Sequence, residues 1–489
     1  MSRIADCAAA CIVMAALAAC AWDPLRPPEI PATERYTPTP VAEPRFARDM
    51  DVPAQWWTLF QSPALDSLVR QALEASPTLA RARAKLRQAQ EDLNARTGAT
   101  QFPKVDARLS ANRVDVNPQS LGVQNLPFPT PLNLYLASVG VSYTLDLFGA
   151  TRRELEALQA EIDYQQYELE AARLMLAGNV VTAAIREAAL REQVAATEEI
   201  VSIQARQLAI TERMEQLGTA AQADVVAQRV DLAQARAALP ELRRQLEQVR
   251  HRLALYIGRP PAGAELPEFR LAELQLPAEL PLSLPSELAR QRPDIRAAEA
   301  LLHQAAARVG VATANLYPQI TLSATAGSLA SRGGDLFGSG TGFYLLGAAL
   351  TQPIFHGGEL QAKRRSAIAA YEQAGAAYQE VVLQGFQNVA DVLRALEADE
   401  RKLKERAEAA SQARSQHDIA AARYQSGGVS YYALLDAQRK LHATLLDQTQ
   451  AAADRYADSA ALFQALGGGW WKEPVQPGAP LRSPRSQTP

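Results

Sequence analysis

Apolar residues in this chain recur at helical steps over two very long stretches and alternate loosely over four short ones. The long stretches run from Gly149 to Gly218 and from Gly357 to Gly427. In the first, Leu155, Leu158, Ile162, Leu169, Leu176, Val180 and Ile185 return mostly at helical intervals among charged neighbours, the mark of an amphipathic helix. Neither stretch contains proline, and Ala, Leu, Glu, Gln and Arg dominate both. At 1.5 Å rise per residue each predicts a rod of roughly 100 Å. Such rods need packing partners, as in coiled coils, and alanines such as Ala171, Ala172, Ala183 and Ala184 allow close approach.

Four short segments break this texture. Val105 to Val116 and Leu136 to Phe148 form one pair, and Gln319 to Ala330 and Gly342 to Phe355 form another. Their lengths suit strands that cross a bilayer at a tilt. The connections read as exposed loops: Asn117 to Tyr135 carries Pro127, Pro129 and Pro131, and Ser331 to Thr341 carries Gly333, Gly334, Gly338 and Gly340. Periodicity alone is equally compatible with two soluble hairpins.

The chain also repeats itself. Pro77 opens a helix that ends at Phe102 and Pro103, and Pro293 opens one that ends at Tyr317 and Pro318. A strand pair, an aromatic-glycine turn (Phe148 and Gly149; Phe355, Gly357 and Gly358), a long helix and a second helix follow in each half. Gly218 to Gln228 and Gly428 to Gln438 have equal spacing, with Arg213 and Arg423 equally far upstream. The predicted organisation is a leader at 1–19, a tether at 20–53, a first repeat at 54–270, a second at 271–469 and a disordered tail at 470–489. No run of about 20 apolar residues suited to a spanning helix follows the leader, so any membrane crossing must be by strands. Four strands cannot close a membrane barrel, because about eight is the smallest number that does and open edges are not tolerated in lipid. Two copies would supply eight strands and three would supply twelve.

The amino-terminal stretch is a secretory signal: Arg3 is basic, Cys7 to Ala19 is apolar and small, and Asp6 is its one discordant residue. The string Leu17-Ala18-Ala19-Cys20 resembles a bacterial lipobox. Cleavage before Cys20 would leave its thiol for a thioether-linked diacylglycerol, a covalent lipid anchor, and would remove Cys7 and Cys11. The residue after Cys20 is Ala21 and not Asp, which in such lipoproteins implies sorting to the outer membrane. From Trp22 to Pro53 the chain is rich in proline and polar residues, as an extended tether would be.

Composition narrows the function. The net charge of −3 offers no basic excess for nucleic acid. The histidines, His251, His303, His356, His417 and His442, form no pair at metal-ligand spacing with an acidic neighbour, so no metal site or cofactor is expected beyond the lipid. Gly467-Gly468-Gly469 lacks the Lys and Ser/Thr of a phosphate loop, and no Gly-x-Ser-x-Gly occurs. An enzyme is therefore not expected. A non-conducting coiled-coil spacer remains as a rival, although a spacer has no need of hairpins at matched places in two repeats.

The segment Leu284 to Glu299, with Arg292-Pro293-Asp294-Ile295-Arg296 at its centre, continues to Gly310-Val311-Ala312 and Tyr317-Pro318. It resembles the signature of the TolC-like outer-membrane factors, in their OprM and NodT lipoprotein branch. Leu255 to Pro261, Asp146-Leu147-Phe148-Gly149 and Gln352-Pro353-Ile354-Phe355 also match, and the likeness spans Trp56 to about Gly468. The resemblance implies a mixed α and β membrane protein. Its long helices would form a periplasmic α-barrel, and its four strands would contribute to the twelve-stranded transmembrane β-barrel of a homotrimer. It also implies a passive efflux duct in the outer membrane, docked to a periplasmic adaptor and to an inner-membrane pump, most readily of the resistance-nodulation-division type.

A duct of this kind needs a gate, and the helix tips are its natural place. Tyr424, Tyr432, Asp436 and Arg439 stand where the family has its constricting residues. Threefold symmetry would gather three Asp436 carboxylates into a ring, and Tyr424 would add hydrogen bonds. A plainer alternative makes Asp436 and Arg439 a solvated i,i+3 pair worth a few tenths of a kcal/mol. Val429 and Ala433 replace the charged or polar latch residues of some relatives, which thins the closing network. Gly218 and Thr219 in one turn, and Gly427, Gly428 and Ser430 in the other, are candidate adaptor contacts, or simply residues that reverse the chain.

Overall fold

The computed structural model describes residues 33, 35–39, 41, 46–47, 52–115, 131–277, 279–282 and 285–472. The leader, Cys20 and the tail beyond Lys472 lie outside the described residues. Strand β1 (Phe46–Ala47) and a 3-10 turn at Trp56–Phe60 lead into helices α1 (Pro63–Ala75) and α2 (Pro77–Gln101). Strands β2 (Lys104–Val114) and β3 (Leu132–Leu145) precede the long helix α3 (Ala150–Gln216) and helix α4 (Gln222–Tyr256). The second half runs through β4 (Leu280–Pro281), α5 (Pro285–Gln291), α6 (Pro293–Ala314), β5 (Gln319–Ala330), β6 (Gly342–Thr351), α7 (Glu359–Gln425) and α8 (Tyr431–Ala465).

The repeat is exact in length where the sequence is longest: α3 and α7 each have 67 residues, and α4 and α8 each have 35. Three strand boundaries differ from those expected of the sequence, each for a physical reason. Strand β3 begins at Leu132, inside the stretch expected to be loop, because Leu132 to Tyr135 pair with Ala111 to Val114. The following strand end is set by Asp146, whose carboxylate accepts the Thr151 and Arg152 amides at 3.1 and 2.9 Å and so caps α3. Strand β6 stops at Thr351, two residues before Pro353, which has no amide hydrogen to continue a ladder.

The two sequence repeats are not the spatial units. One compact unit holds Lys85–Gln165 and Ala298–Gln379; the other holds Ile30–Ala84, Gln166–Ala297 and Glu380–Pro489. Each therefore gathers matching pieces of both repeats. The first contains the sheet in the order β2-β3-β5-β6, antiparallel throughout, in which β3 pairs with β5 and joins the two hairpins.

The second unit contains the largest buried side chains, among them Trp56, Phe60, Leu65, Leu190, Leu253, Ile295 and Phe463. Trp56 lies 5.5 Å from Phe463 between ring centres, and Phe60 lies 6.2 Å from Phe463. The signature Arg292-Pro293-Asp294 has a mechanical role here. The buried Arg292 guanidinium forks onto Asp294 at 3.0 and 2.6 Å and donates to the Ala465 carbonyl at 3.0 Å, so the start of α6 is tied to the end of α8. Arg296 donates to the Tyr167 hydroxyl at 3.1 Å.

Gly467, Gly468 and Gly469 all have positive φ, at 92°, 69° and 70°. The glycine run that fails as a phosphate loop is thus a tight reversal, and it carries Trp470 back to donate to the Gln291 carbonyl at 2.7 Å. The folded body consequently runs through Trp470–Lys472, past the boundary drawn at Gly469. Parts of the tether are also fastened to this unit. Arg394 donates to the Thr39 carbonyl at 2.7 Å, Tyr36 meets Phe386 edge-on at 6.3 Å, and β1 pairs in parallel with β4.

Candidate functional site

The sheet is the first functional element. Side chains alternate across a strand, so the pairing register sorts them onto two faces. Val105, Ala107, Leu109 and Ala111 of β2 pair with Val141, Val139, Ala137 and Tyr135 of β3. The latter residues continue onto Ala324, Ala326, Ser328 and Ala330 of β5, and β5 onto Tyr344, Leu346, Ala348 and Leu350 of β6. Among the described strand residues, Arg113 at the loop end is the only charge on this face. The apolar side chains are open to solvent in the single chain: Leu109 is 76% exposed, Tyr344 80% and Leu346 72%. An exposed apolar patch that crosses four strands is a surface made for a nonaqueous neighbour.

The opposite face is polar over the half nearer the helices, with Lys104, Asp106 and Arg108 on β2, Ser138, Ser142 and Thr144 on β3, and Gln319, Thr321 and Ser323 on β5. Toward the loops it turns apolar at Leu134, Leu136, Leu329 and Phe343. The strands have 11, 14, 12 and 10 residues, enough to span a bilayer at a tilt. Strands β2 and β6 each pair on one side only, which leaves two open edges. At the helix end of the sheet Phe148 stacks on Tyr317 at 4.9 Å.

The helix tips are the second element. The α3 turn places Gly218 at φ 76°, and the Thr219 amide and hydroxyl donate to the Met214 carbonyl at 2.9 and 3.0 Å. The α7 turn places Gly427 at φ 77°, and the Gly428 amide donates to the Arg423 carbonyl at 2.7 Å. Gly218 therefore matches Gly427, one residue earlier than the Gly218 to Gly428 match expected from spacing. Both second helices are capped at once: Asp224 accepts the Ala221 amide at 3.0 Å, and Ser430 Oγ accepts the Ala433 amide at 3.2 Å.

Of the four residues expected at the gate, Asp436 and Arg439 form a half-exposed i,i+3 ion pair at 2.8 Å. Tyr424 packs its ring on Tyr431 at 5.3 Å, a partner signalled in the sequence only by the doublet Tyr431-Tyr432 directly after the Ser430 cap. The Tyr432 hydroxyl accepts a 2.8 Å hydrogen bond from Gln228 Nε2 and so links α8 to α4.

Farther along, α7 and α8 are laddered by Lys402–Asp454, Arg406–Asp447 and Arg455–Glu400, each at 2.7 Å. Beside this ladder the Asp399 carboxyl is buried. Burial, helped by the neighbouring Asp458 carboxyl, pushes it up to about 7. Among the described residues no group of His, Cys, Asp and Glu stands where it could hold a metal ion.

The model of the family described as outer membrane efflux protein matches residues 68–259 and 284–468, which takes in both repeats, the sheet and both tips. The chain belongs to this outer membrane efflux protein family. The pyoverdine export outer membrane protein OpmQ of Pseudomonas aeruginosa is 33% identical over 85% of this chain and 87% of its own length. The probable efflux pump outer membrane protein TtgC of Pseudomonas putida is 31% identical over 92% of each. Among solved structures, the outer-membrane channel OprN matches with a TM-score of 0.80 at 28% identity, covering 92% of this chain and 100% of that one. The open state of the Neisseria gonorrhoeae MtrE outer membrane channel matches with a TM-score of 0.75 at 27% identity, covering 92% and 98%. The protein is thus an outer-membrane efflux channel of the TolC-like fold, and its family is one of transport proteins and not of enzymes. In this efflux protein the apolar sheet face suits contact with lipid, where a charge at mid-bilayer would cost about 2–4 kcal/mol.

Proposed function

We propose that three copies of this chain close a twelve-stranded barrel and act as the passive exit duct of a tripartite efflux system. The observation that carries the reading is the four-stranded amphipathic sheet with unpaired edges on β2 and β6. In lipid each unsatisfied backbone group costs several kcal/mol, so both edges must find partners, and a second and third copy offer the matching β2 and β6 edges. Three copies are the number that the resemblance implies.

The gate of this duct lies at the tips and is built by Tyr424, Tyr432, Asp436 and Arg439, a reading supported by the Tyr424–Tyr431 ring contact, the Tyr432–Gln228 hydrogen bond and the Asp436–Arg439 ion pair near the chain reversals. The turns at Gly218 and Thr219 and at Gly427, Gly428 and Ser430 are the surfaces offered to a periplasmic adaptor, which joins the duct to an inner-membrane pump of the resistance-nodulation-division type. A lipid on Cys20 anchors each copy beside the barrel. The protein makes and breaks no bonds in its cargo, and the pump supplies the energy.

Two measurements test this reading together. Purified full-length protein should migrate as a trimer in mild SDS and conduct ions in a planar bilayer. Cross-linking in intact cells, followed by pull-down through a carboxy-terminal tag, should recover an adaptor and a pump. A monomer that conducts nothing and recovers only itself would replace the duct with an envelope spacer.

A further inference from the structure

The polar face of the sheet carries its charge on one strand. Lys104, Asp106 and Arg108 alternate along β2 and share that face, while the residues paired beside them are small or neutral: Ser142, Gly140 and Ser138 on β3, then Ser323, Thr325 and Gly327 on β5. The outermost strand adds Gly347, Leu345 and Phe343 at the same register positions. All three charged residues are exposed, and none of their side chains makes a hydrogen bond or ion pair with another described residue. They are not spent on folding, and they stand in a wall with no other charge on that face among the described strand residues.

Their arrangement is not symmetric in sign. Same-face neighbours on a strand lie roughly 6.8 Å apart, and Asp106 forms no ion pair with Lys104 or Arg108 across that spacing. Lys and Arg extend their charge several ångströms from the backbone, whereas the short Asp side chain keeps its charge at the wall. Twelve strands spaced about 4.8 Å and tilted about 40° make a backbone circle of roughly 12 Å radius. Long side chains reduce the free radius to about one Debye length at physiological salt, so wall charges are felt across the whole bore.

We infer that β2 makes the barrel lumen a filter that favours anionic solutes, with Lys104 and Arg108 as the specificity-determining cations and Asp106 as a partial counterweight. The inference rests on the trimeric duct proposed above, in which this face lines the lumen. The favoured cargo class is small organic anions, such as carboxylates and phenolates, which pass rings of three lysines and three arginines.

The test is the reversal potential of the full-length channel in a planar bilayer under a potassium chloride gradient. Replacing both cations, Lys104→Gln with Arg108→Gln, should lower the chloride-to-potassium permeability ratio by about two-fold or more. Asp106→Asn, two residues from either cation, should shift the ratio in the opposite direction. Ala107→Thr, on the lipid face between them, should leave it unchanged. Conductance with the same reversal potential in all variants overturns the inference and leaves the duct intact. Absence of any conductance from the unaltered protein overturns the duct and the inference with it.

Discussion

The Tyr432 hydroxyl accepts a hydrogen bond from Gln228 at 2.8 Å, and this contact joins the first turns of α8 to those of α4 across 204 residues of sequence. It ties the two helices that leave the tips, so a gate that opens by moving one tip against the other has to break it. A part-buried bond of this kind contributes about 1 kcal/mol per copy, and threefold symmetry repeats it three times. Tyr432→Phe and Gln228→Leu should each raise the resting conductance several-fold in a planar bilayer, and the double variant should do no more than either alone. Additive effects would separate the two residues.

Asp436 makes a different case. Its pairing with Arg439 is half-exposed, so Asp436→Ala should change the thermal stability of the protein by under about 0.5 kcal/mol. If three Asp436 carboxylates nonetheless face one another at the gate, the same variant raises the resting conductance of the purified trimer. Unchanged conductance would return Asp436 to the plain role of a surface ion pair.

The elements were legible because their boundaries are written in local chemistry. Pro318 before Gln319 and the glycine-rich loop after Ala330 delimit β5 at the residues expected from sequence. Glycines at 149, 218, 357 and 427 likewise bracket the long helices. The β3–β5 pairing was not legible, because nothing in a single strand states which hairpin lies beside it. The turn at Gly427-Gly428 offers two adjacent glycines for one left-handed position, which explains the one-residue error in matching the repeats. At the tips, Tyr432 and Asp436 could be named from family position, but Gln228 as a partner of Tyr432 depends on helix packing between distant segments. Asp399 escaped notice for a related reason: only the fold brings it beside Asp458.

Glycine positions separate strain from collision. At Gly469 an added methyl would meet the Val52 carbonyl at 2.4 Å and the Pro53 backbone at 2.6 Å, on top of an unfavourable φ of 70°. Backbone cannot give way cheaply, so Gly469→Ala should cost about 3 kcal/mol or more and lower the denaturation temperature in detergent. At Gly218 nothing lies within 4 Å, and only the φ of 76° resists substitution. Gly218→Ala should cost about 1 kcal/mol. Equal costs at the two sites would deny the collision.

Glu187 is fully buried and accepts from Arg191 at 2.6 Å, from Arg250 at 3.0 Å and from the Phe269 amide at 3.1 Å. It fixes the segment after α4 against α3. Glu187→Gln leaves Arg250 without its anion and Arg191 with only the exposed Glu268, and should cost about 3–5 kcal/mol in chemical denaturation. Glu268, whose side chain is 70% exposed while it pairs with Arg191 at 3.2 Å, is the control, and Glu268→Gln should cost about 0.5 kcal/mol or less.

Asp399 supplies a pH dependence with a definite sign. It lies on α7, and Asp458 and Asp454 of α8 face it, with Lys402 the nearby cation already bonded to Asp454. The adjoining Glu400 and Arg455 pair with each other. Burial first, and the Asp458 carboxyl second, raise Asp399 from 3.8 to about 7, so the folded protein keeps a proton that the unfolded chain has released. Between about pH 4 and 7 the native state therefore binds more protons, and this group's contribution to stability falls as pH rises, levelling off above about 7. Asp399→Asn removes the titration and the like-charge contact together. Its stability advantage over the unaltered protein should grow by about 1–3 kcal/mol between about pH 5 and 8, read from denaturation midpoints in detergent. Asp458→Asn should give a smaller change in the same direction, because burial still acts on Asp399. Parallel profiles for Asp399→Asn and the unaltered protein would mean that Asp399 is already ionised at pH 5, and the α7–α8 contact would then carry no proton-dependent term.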